Sequence, residues 1–200
     1  MAGPDVQKAG DASEKLAGVE AAAGRQPGPA PVERWNPPFC GELDMRIAAD
    51  GTWYYMGSPI TRARMVRLFS TVLRRDEDGR TYLVTPTERF AITVDDAPFL
   101  AVRMSVTGRG RDQVVCFETD VDDEVTVDEA HPLRFERQGD GGGLKPYVLV
   151  RGRLEALVTR ALAFDLVEVA VAEEVDGTPW LGVWSGGRFH PMAPSAGLEA

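Results

Sequence analysis

The stretch from Gly51 to Leu73 constrains the fold of this chain more than any other, because strand and helix signals follow one another in it. The aromatic run Trp53-Tyr-Tyr-Met56 comes directly after the turn pair Asp50-Gly51. It predicts a short strand, since aromatic side chains suit a half-buried pleated surface. Ser58-Pro59 then predicts a helix start, because a serine oxygen can cap a free backbone N–H and proline suits the first helical position. A helix over about 59–74 follows, with core residues at spacings of three and four: Met65, Leu68, Phe69 and Val72.

Most of the remaining chain is predicted to form strands. Leu43, Met45 and Ile47 alternate with polar residues, so we expect a strand there that pairs with residues 52–56. Short runs between turn residues predict further strands at about 80–85, 88–94, 99–106, 114–118, 125–127, 132–136, 147–150, 180–184 and 188–190. A second helix is predicted over about 154–170 from the spacing of its aliphatic residues.

The two halves of the chain show the same order of features. Tyr54 to Gly57 corresponds to Val148 to Gly152, then helix to helix, and then the turn Asp78-Gly79 to the turn Asp176-Gly177. We therefore expect an α+β fold of two related halves, each a mainly antiparallel sheet with one principal helix. The predicted boundaries are a disordered tail at 1–34, a first repeat at 35–109, a second repeat at 110–192 and a C-terminal tail at 193–200.

The N-terminal segment has few residues that can form a core. Residues 1–34 consist mainly of Ala, Gly, Pro and Glu, and Gly18 and Gly24 interrupt a weak helical pattern at 14–23. We expect deletion of residues 1–30 to leave the melting temperature almost unchanged.

Composition excludes several classes of protein. The net charge of −9 disfavours nonspecific binding to nucleic acid or to an anionic membrane, because both depend on basic surface. Cys40 and Cys116 are far apart and are expected to be free thiols. The sequence shows no signal peptide and no apolar run long enough to cross a bilayer, so we expect a cytoplasmic protein.

Five short motifs stand out as a set: Asn36-Pro-Pro-Phe-Cys-Gly41, Asp50-Gly-Thr-Trp53, Gly57-Ser-Pro-Ile60, Leu83-Val-Thr-Pro86 with Glu88, and Asp96-Ala-Pro-Phe99. Over roughly residues 35–192 the chain resembles the bacterial family called domain of unknown function 1285 (DUF1285). The resemblance implies a duplicated structure, a C-terminal half loosely like pleckstrin-homology folds, and a nucleotide-like ligand between the halves. It also implies a role in signal transduction, and it brings no activity with it.

The predicted start of the first helix is the candidate ligand site. Free N–H groups and the helix dipole attract anions there, and Arg62 and Arg64 add positive charge in an acidic chain. Trp53 and Tyr55 can supply a stacking face. Ser58 and Glu88 complete the candidate set. The alternative is that the aromatic side chains belong to the core and the arginines pair with surface carboxylates.

The leading hypothesis is a non-enzymatic regulatory protein that binds a small phosphorylated or nucleotide-like molecule between its halves. The alternative is a protein-interaction adaptor, which would use an exposed sheet edge or a basic helix face and would need no pocket. A hydrolase is less consistent with the sequence, because no nucleophile with an adjacent base is recognisable. His131 and His190 lack the spacing of a zinc site, so neither a metal, a cofactor nor a catalytic residue is predicted.

Overall fold

The chain divides into two compact units. A computed structural model describes residues 17–21, 23, 28–139 and 143–195. The first unit contains residues 1–96 with 152–154, and the second contains 97–151 with 155–200. The division therefore falls at Asp96, after a turn, whereas the sequence prediction placed it at residue 109 and left the 99–106 strand in the first half.

The first unit is built on a six-stranded sheet with the order β3-β2-β1-β6-β5-β4. A 3₁₀ turn at Val32–Arg34 precedes it. Its elements are β1 (Phe39–Ile47), β2 (Trp53–Tyr55), β3 (Ser58–Pro59), helix A (Ala63–Ser70), β4 (Leu73–Arg75), β5 (Thr81–Val84) and β6 (Arg89–Val94). Alternating residues of the second half of β1 are buried, and all four residues of β5 are buried, so β5 is covered on both faces. The predicted pairing of residues 43–47 with 52–56 is confirmed.

The second unit contains a six-stranded sheet with the order β10-β11-β12-β7-β8-β9 and a three-stranded sheet with the order β13-β14-β15. Its elements are β7 (Phe99–Thr107), a 3₁₀ turn (Gly110–Asp112), β8 (Val114–Thr119), β9 (Glu124–Thr126), β10 (Leu133–Arg137), β11 (Leu144–Arg151), β12 (Leu154–Val158), helix B (Arg160–Glu168), β13 (Val171–Val175), β14 (Thr178–Ser185) and β15 (Arg188–Pro194). Among the described residues of both units, no helix is long and apolar enough to cross a membrane.

The two six-stranded sheets have the same strand order. In each, the chain starts at a central strand, moves outward to one edge, and returns from the opposite edge to a central strand. The two central strands pair in parallel, β1 with β6 and β7 with β12. These features confirm the α+β class and the two related halves. The likeness to pleckstrin-homology folds stays an expectation.

The predicted helix-to-helix correspondence between the halves is wrong in this topology. Helix A connects the third strand of its sheet to the fourth, whereas helix B follows the sixth strand. The strand order makes β1 the counterpart of β7. The similar order of short sequence features therefore led to a wrong alignment of the two halves.

The region of Ser58-Pro59 is a hairpin and not a helix start. β2 and β3 pair through Tyr55 and Ser58 across the two-residue loop Met56-Gly57. Both loop residues have positive φ, 48° and 74°, as a type I′ turn requires. Methionine rarely adopts this conformation, so no turn was predicted there. Helix A begins only at Ala63, after Arg62 as its N-cap, and no side chain caps it.

The predicted 154–170 helix is in part a strand. Leu154, Ala156 and Val158 are buried while their neighbours are half-buried, which is the period of a strand. β12 pairs in parallel with β7, so tertiary packing favours the extended form. The helix starts only at Arg160. β13 lies beyond it and was not predicted. β15 extends to Pro194, so Ala193, which was predicted to belong to the C-terminal tail, is buried in that strand.

The predicted tail at 1–34 contains both helical and buried residues where the structure describes it. Residues 17–21 are helical, Val19 is 0% exposed and Ala23 is 4% exposed. Farther on, the N–H of Ala30 donates to the carbonyl of Thr71 at 2.9 Å, and Val32 is buried. Part of this segment therefore packs in the first unit.

We expect Val19→Asp to lower the melting temperature, because a carboxylate at this buried position loses its water and removes an apolar contact. Ala21→Asp is the matched control, since Ala21 is exposed on the same short helix. Thermal unfolding of both variants measures the effect. If both variants have the melting temperature of the wild type, the helix contributes nothing to stability. That result would agree with the sequence prediction for deletion of residues 1–30.

Arg74 lies at the end of the predicted 59–74 helix, but in the structure it belongs to β4 and is 7% exposed. Its Nε donates to Asp76 Oδ1 at 2.6 Å, and its Nη1 donates to the carbonyls of Val32 and Trp35 at 2.8 and 2.7 Å. Arg89 Nη1 donates to the other oxygen of Asp76 at 2.6 Å. One buried guanidinium thus connects the N-terminal segment to the sheet.

We expect Arg74→Ala to reduce the free energy of unfolding by about 3 kcal/mol, because two carbonyls and part of a carboxylate lose their donor. Arg80→Ala is the control. Arg80 pairs with Glu42 at 2.6 Å, but both side chains are largely exposed, so its loss should cost less than about 1 kcal/mol. Urea unfolding compares the variants, and equal losses would contradict a special role for Arg74.

His190 is a buried titratable group of the second unit. It is 3% exposed, and its Nδ1 accepts a hydrogen bond from the N–H of Leu133 at 3.4 Å. Burial, and secondly the charge of Arg188, lowers the pKa of His190 below its ordinary value. In mildly acidic solution the unfolded chain therefore takes up a proton more readily than the folded chain.

We expect the folding stability to fall as the pH drops through about 6.5, the ordinary pKa of histidine. Above that pH, His190 is neutral in both the folded and the unfolded chain, so it makes no pH-dependent contribution to the folding stability. The loss grows until the lowered pKa of the folded state is reached. His190→Asn keeps an acceptor for the Leu133 N–H and removes the titration, so its melting temperature should fall less between about pH 7.5 and about pH 5.5.

The matched control for this pH effect is His131→Asn, at the half-buried histidine. It removes the other of the two histidines of the chain, so comparison of the two variants shows which histidine accounts for the acid sensitivity. If His190→Asn loses as much stability on acidification as the wild type, His190 is not the group responsible.

Candidate functional site

The sequence-predicted site residues are placed in different environments of the first unit. Trp53 is 1% exposed and belongs to the core, as the alternative interpretation predicted. Tyr55 is half-buried on β2, and Ser58 is exposed on the edge strand β3 without a capping bond. Arg62 and Arg64 are exposed at the start of helix A, so they remain accessible to an anion.

Glu88 is not brought together with Trp53. It precedes Arg89, which pairs with Phe39 at one end of β1, whereas Trp53 pairs with Ile47 at the other end. Along the paired strand β6 those ends lie five residues apart, from Arg89 to Val94, which is roughly 17 Å at about 3.3 Å per residue. The backbone N–H of Glu88 donates to Thr85 Oγ1 at 2.9 Å, within a turn. The six predicted residues therefore do not form a single cluster.

The second unit contains a cavity of about 650 Å³ beside helix B. This volume lies within the usual range of small-molecule sites. Helix B, the β10–β11 hairpin, β12 and β15 supply its described lining. The lining residues are Arg137, Gln138, Gly143, Leu144, Lys145, Pro146, Leu157, Val158, Arg160, Ala163, Phe164, Val167, Met192 and Ala193.

Most of the described lining is apolar. Val158, Met192 and Ala193 are almost fully buried, at 2, 7 and 4% exposure. Phe164 and Val167 are 62 and 48% exposed, which makes them two of the most exposed large apolar side chains in the described chain. Exposed apolar side chains beside a concave surface are typical of a binding site.

Three cationic side chains also line the cavity, in a chain whose net charge is −9. Arg137 and Lys145 lie near the loop end of the β10–β11 hairpin, where Arg137 pairs with Leu144. Arg160 is the first residue of helix B, and its guanidinium lies 5.7 Å from the ring centre of Phe164. No carboxylate is among the lining residues of the described chain.

The position of Arg160 favours an anion nearby. A cation in the first helical turn faces the positive end of the dipole and costs a few tenths to about 1 kcal/mol. The free N–H groups of that turn and the guanidinium all attract negative charge. Arg160 therefore has the position at a helix start that was predicted for Arg62, since Arg62 lies before helix A and Arg160 lies within helix B.

A network on the sheet holds the hairpin that carries Arg137 and Lys145. Arg134 lies over the ring of Tyr147 on β11, 4.2 Å from its centre. Its Nε and Nη2 donate to both oxygens of Glu155 on β12, each at 2.9 Å, and its Nη1 donates to Glu136 at 2.9 Å. The hydrogen bond to Glu155 is the main cause of the raised pKa of Arg134. Three neighbouring strands are thus fixed at one side of the cavity.

Sequence reasoning missed this cavity because its residues are distant in the chain. The linker between the paired strands β10 and β11 includes residues 139–143, of which 140–142 lie outside the described residues. The available signal was the basic residues on either side of that linker in an acidic chain. Within the described residues, no group of three or more His, Cys, Asp or Glu side chains could hold a metal ion.

Comparison with known families identifies both units. A family model described as the N-terminal domain of DUF1285, a domain of unknown function, matches residues 30–97. The model described as the C-terminal domain of the same family matches residues 98–192. The change from one model to the other coincides with the division between the units. No curated protein matches the chain.

Two crystal structures are similar to this chain. A DUF1285 family protein from Silicibacter pomeroyi DSS-3 is 48% identical, with a TM-score of 0.82 over 92% of this chain and 98% of that one. A DUF1285 family protein from Shewanella baltica OS155 is 22% identical, with a TM-score of 0.49 over 63% of this chain and 91% of that one. Neither description states an activity or a ligand.

Proposed function

Because this chain belongs to the DUF1285 family, whose function is unknown, we propose its function from the cavity: it is a non-enzymatic protein that binds a small organic anion in the second unit. The sequence predicts phosphorylated or nucleotide-like molecules as the ligand class. The observation that carries the proposal is a cavity of ligand size that combines three cations with a mainly apolar lining.

The chemistry of the lining suits binding. Arginine recognises carboxylates and phosphates through paired N–H groups, and the partly apolar surroundings strengthen those charge-assisted hydrogen bonds. Gln138 adds an amide that can donate and accept. A ligand held in this way would act by occupancy, and we include in the proposal a regulatory, signalling role in the bacterial cytoplasm.

The test is a thermal-shift series on the full chain with inorganic phosphate, nucleoside monophosphates and sugar phosphates. A ligand that binds only the folded state at about 100 times its dissociation constant adds about 2.7 kcal/mol to the free energy of unfolding. We expect at least one anion to raise the melting temperature. We also expect Arg160→Gln, which keeps a good helix former, to remove most of that shift.

Two further arginine variants locate the site. Arg103→Gln is the control, because Arg103 is a 69% exposed cation of the second unit that pairs with Glu118 outside the cavity lining. Arg62→Gln examines the sequence-predicted site at helix A. A shift that depends on Arg62 and not on Arg160 would move the site to the first unit, and the absence of any shift with every anion would overturn the proposal.

The adaptor function remains the second candidate, because Phe164, Val167 and Val171 expose apolar surface on helix B and the edge strand β13. An exposed strand edge can accept an added strand from a partner. The two candidate functions predict different effects of Arg160→Gln. Loss of small-anion binding with this variant favours the ligand protein, whereas a purified partner whose binding needs Val171 and not Arg160 favours the adaptor.

A further inference from the structure

The face of helix B that lines the cavity changes from charged to apolar along the helix. Arg160, Ala163, Phe164 and Val167 share one face, because they are spaced by three and four residues. The face runs for roughly 10 Å at about 1.5 Å per residue. Its charge lies at the first residue and its apolar side chains lie beyond it.

The other walls of the cavity add aliphatic surface. Leu157 on β12 and Met192 on β15 line it, together with the buried Val158. Methionine adapts its shape to flexible apolar ligands. Phe164 is the only aromatic residue in the described lining, and its ring is already beside Arg160, so the walls offer little stacking surface for a base.

We infer that the cavity takes an amphipathic anion, with one anionic head group on an unbranched alkyl body. This inference rests on the proposed function and names the ligand class of the same site. The head group lies at Arg160 and the hairpin cations, where charge-assisted hydrogen bonds hold it. The alkyl body lies along Phe164 and Val167 and covers apolar surface that is otherwise in water. Carboxylate and phosphate heads share this chemistry.

The experiment is calorimetric titration of the full chain with decanoate, decyl phosphate, hexanoate, decyltrimethylammonium and adenosine monophosphate. We expect the decyl anions to bind at least about tenfold more tightly than hexanoate, since each additional buried methylene contributes. The decyl cation should not bind. Decanoate and decyl phosphate distinguish the two kinds of head group.

Two serine variants test where the alkyl body lies. Phe164→Ser should weaken binding of decanoate at least about tenfold by removing apolar contact, with little effect on adenosine monophosphate. Phe39→Ser is the matched control, because Phe39 is 49% exposed in the first unit. Since both side chains are exposed, both variants should fold. Circular dichroism checks this.

The outcomes separate the inference from the proposed function. If adenosine monophosphate or phosphate binds and needs Arg160, while chain length has no effect, the inference is overturned and the proposed function stands. If decanoate binds but Arg160→Gln and Phe164→Ser leave its affinity unchanged, it binds elsewhere and the inference is overturned. If no anion binds, both are overturned.

Discussion

Each six-stranded sheet depends on one parallel strand pair at its centre. Neighbouring strands on either side of that pair follow one another in the chain, but β1 with β6 and β7 with β12 join distant segments. In the second unit this pair also places helix B. Ala156 to Val158 align with Phe99 to Ala101, and the N–H of Thr159 donates to Ala101 at 3.2 Å immediately before the helix begins. Arg160 is therefore positioned by strand pairing.

Charge distribution makes the cavity distinct in this acidic protein. Several arginines of the second unit outside the cavity lining form surface ion pairs, as Arg103 does with Glu118. A surface pair of this kind contributes little to stability because water screens it. The cations of the cavity lining lie beside apolar side chains, where an anion gains more from each hydrogen bond. Surface arginines and the cations of the cavity lining thus differ in how strongly they can bind an anion, because their surroundings differ.

Much of the strand content followed from the sequence, because period-two alternation and turn residues mark β1, β5, β6, β7 and β8 clearly. The errors came where one pattern fits two structures. Leu154, Leu157 and Val158 fit both a helix and a strand, and β7 decided between them. Met56 gave no sign of its positive φ. The cavity could not be predicted, because Arg137 and Arg160 are distant in the sequence. Pairing of β11 and β12, the strands between them in the chain, brings both residues to the cavity lining.

The central parallel pairs also determine how each unit can fold. The three-strand groups on either side of a pair contain local contacts and can form early, whereas the pair itself must close a long loop, such as the one from Phe39 to Arg89. Until that closure, the strands at the middle of the finished sheet are unpaired edges. β1 and β12 carry buried Leu, Met, Ile and Val side chains, so these transient edges are apolar. Unpaired apolar edges invite association between chains. During synthesis, the interior of each sheet is therefore its most vulnerable part.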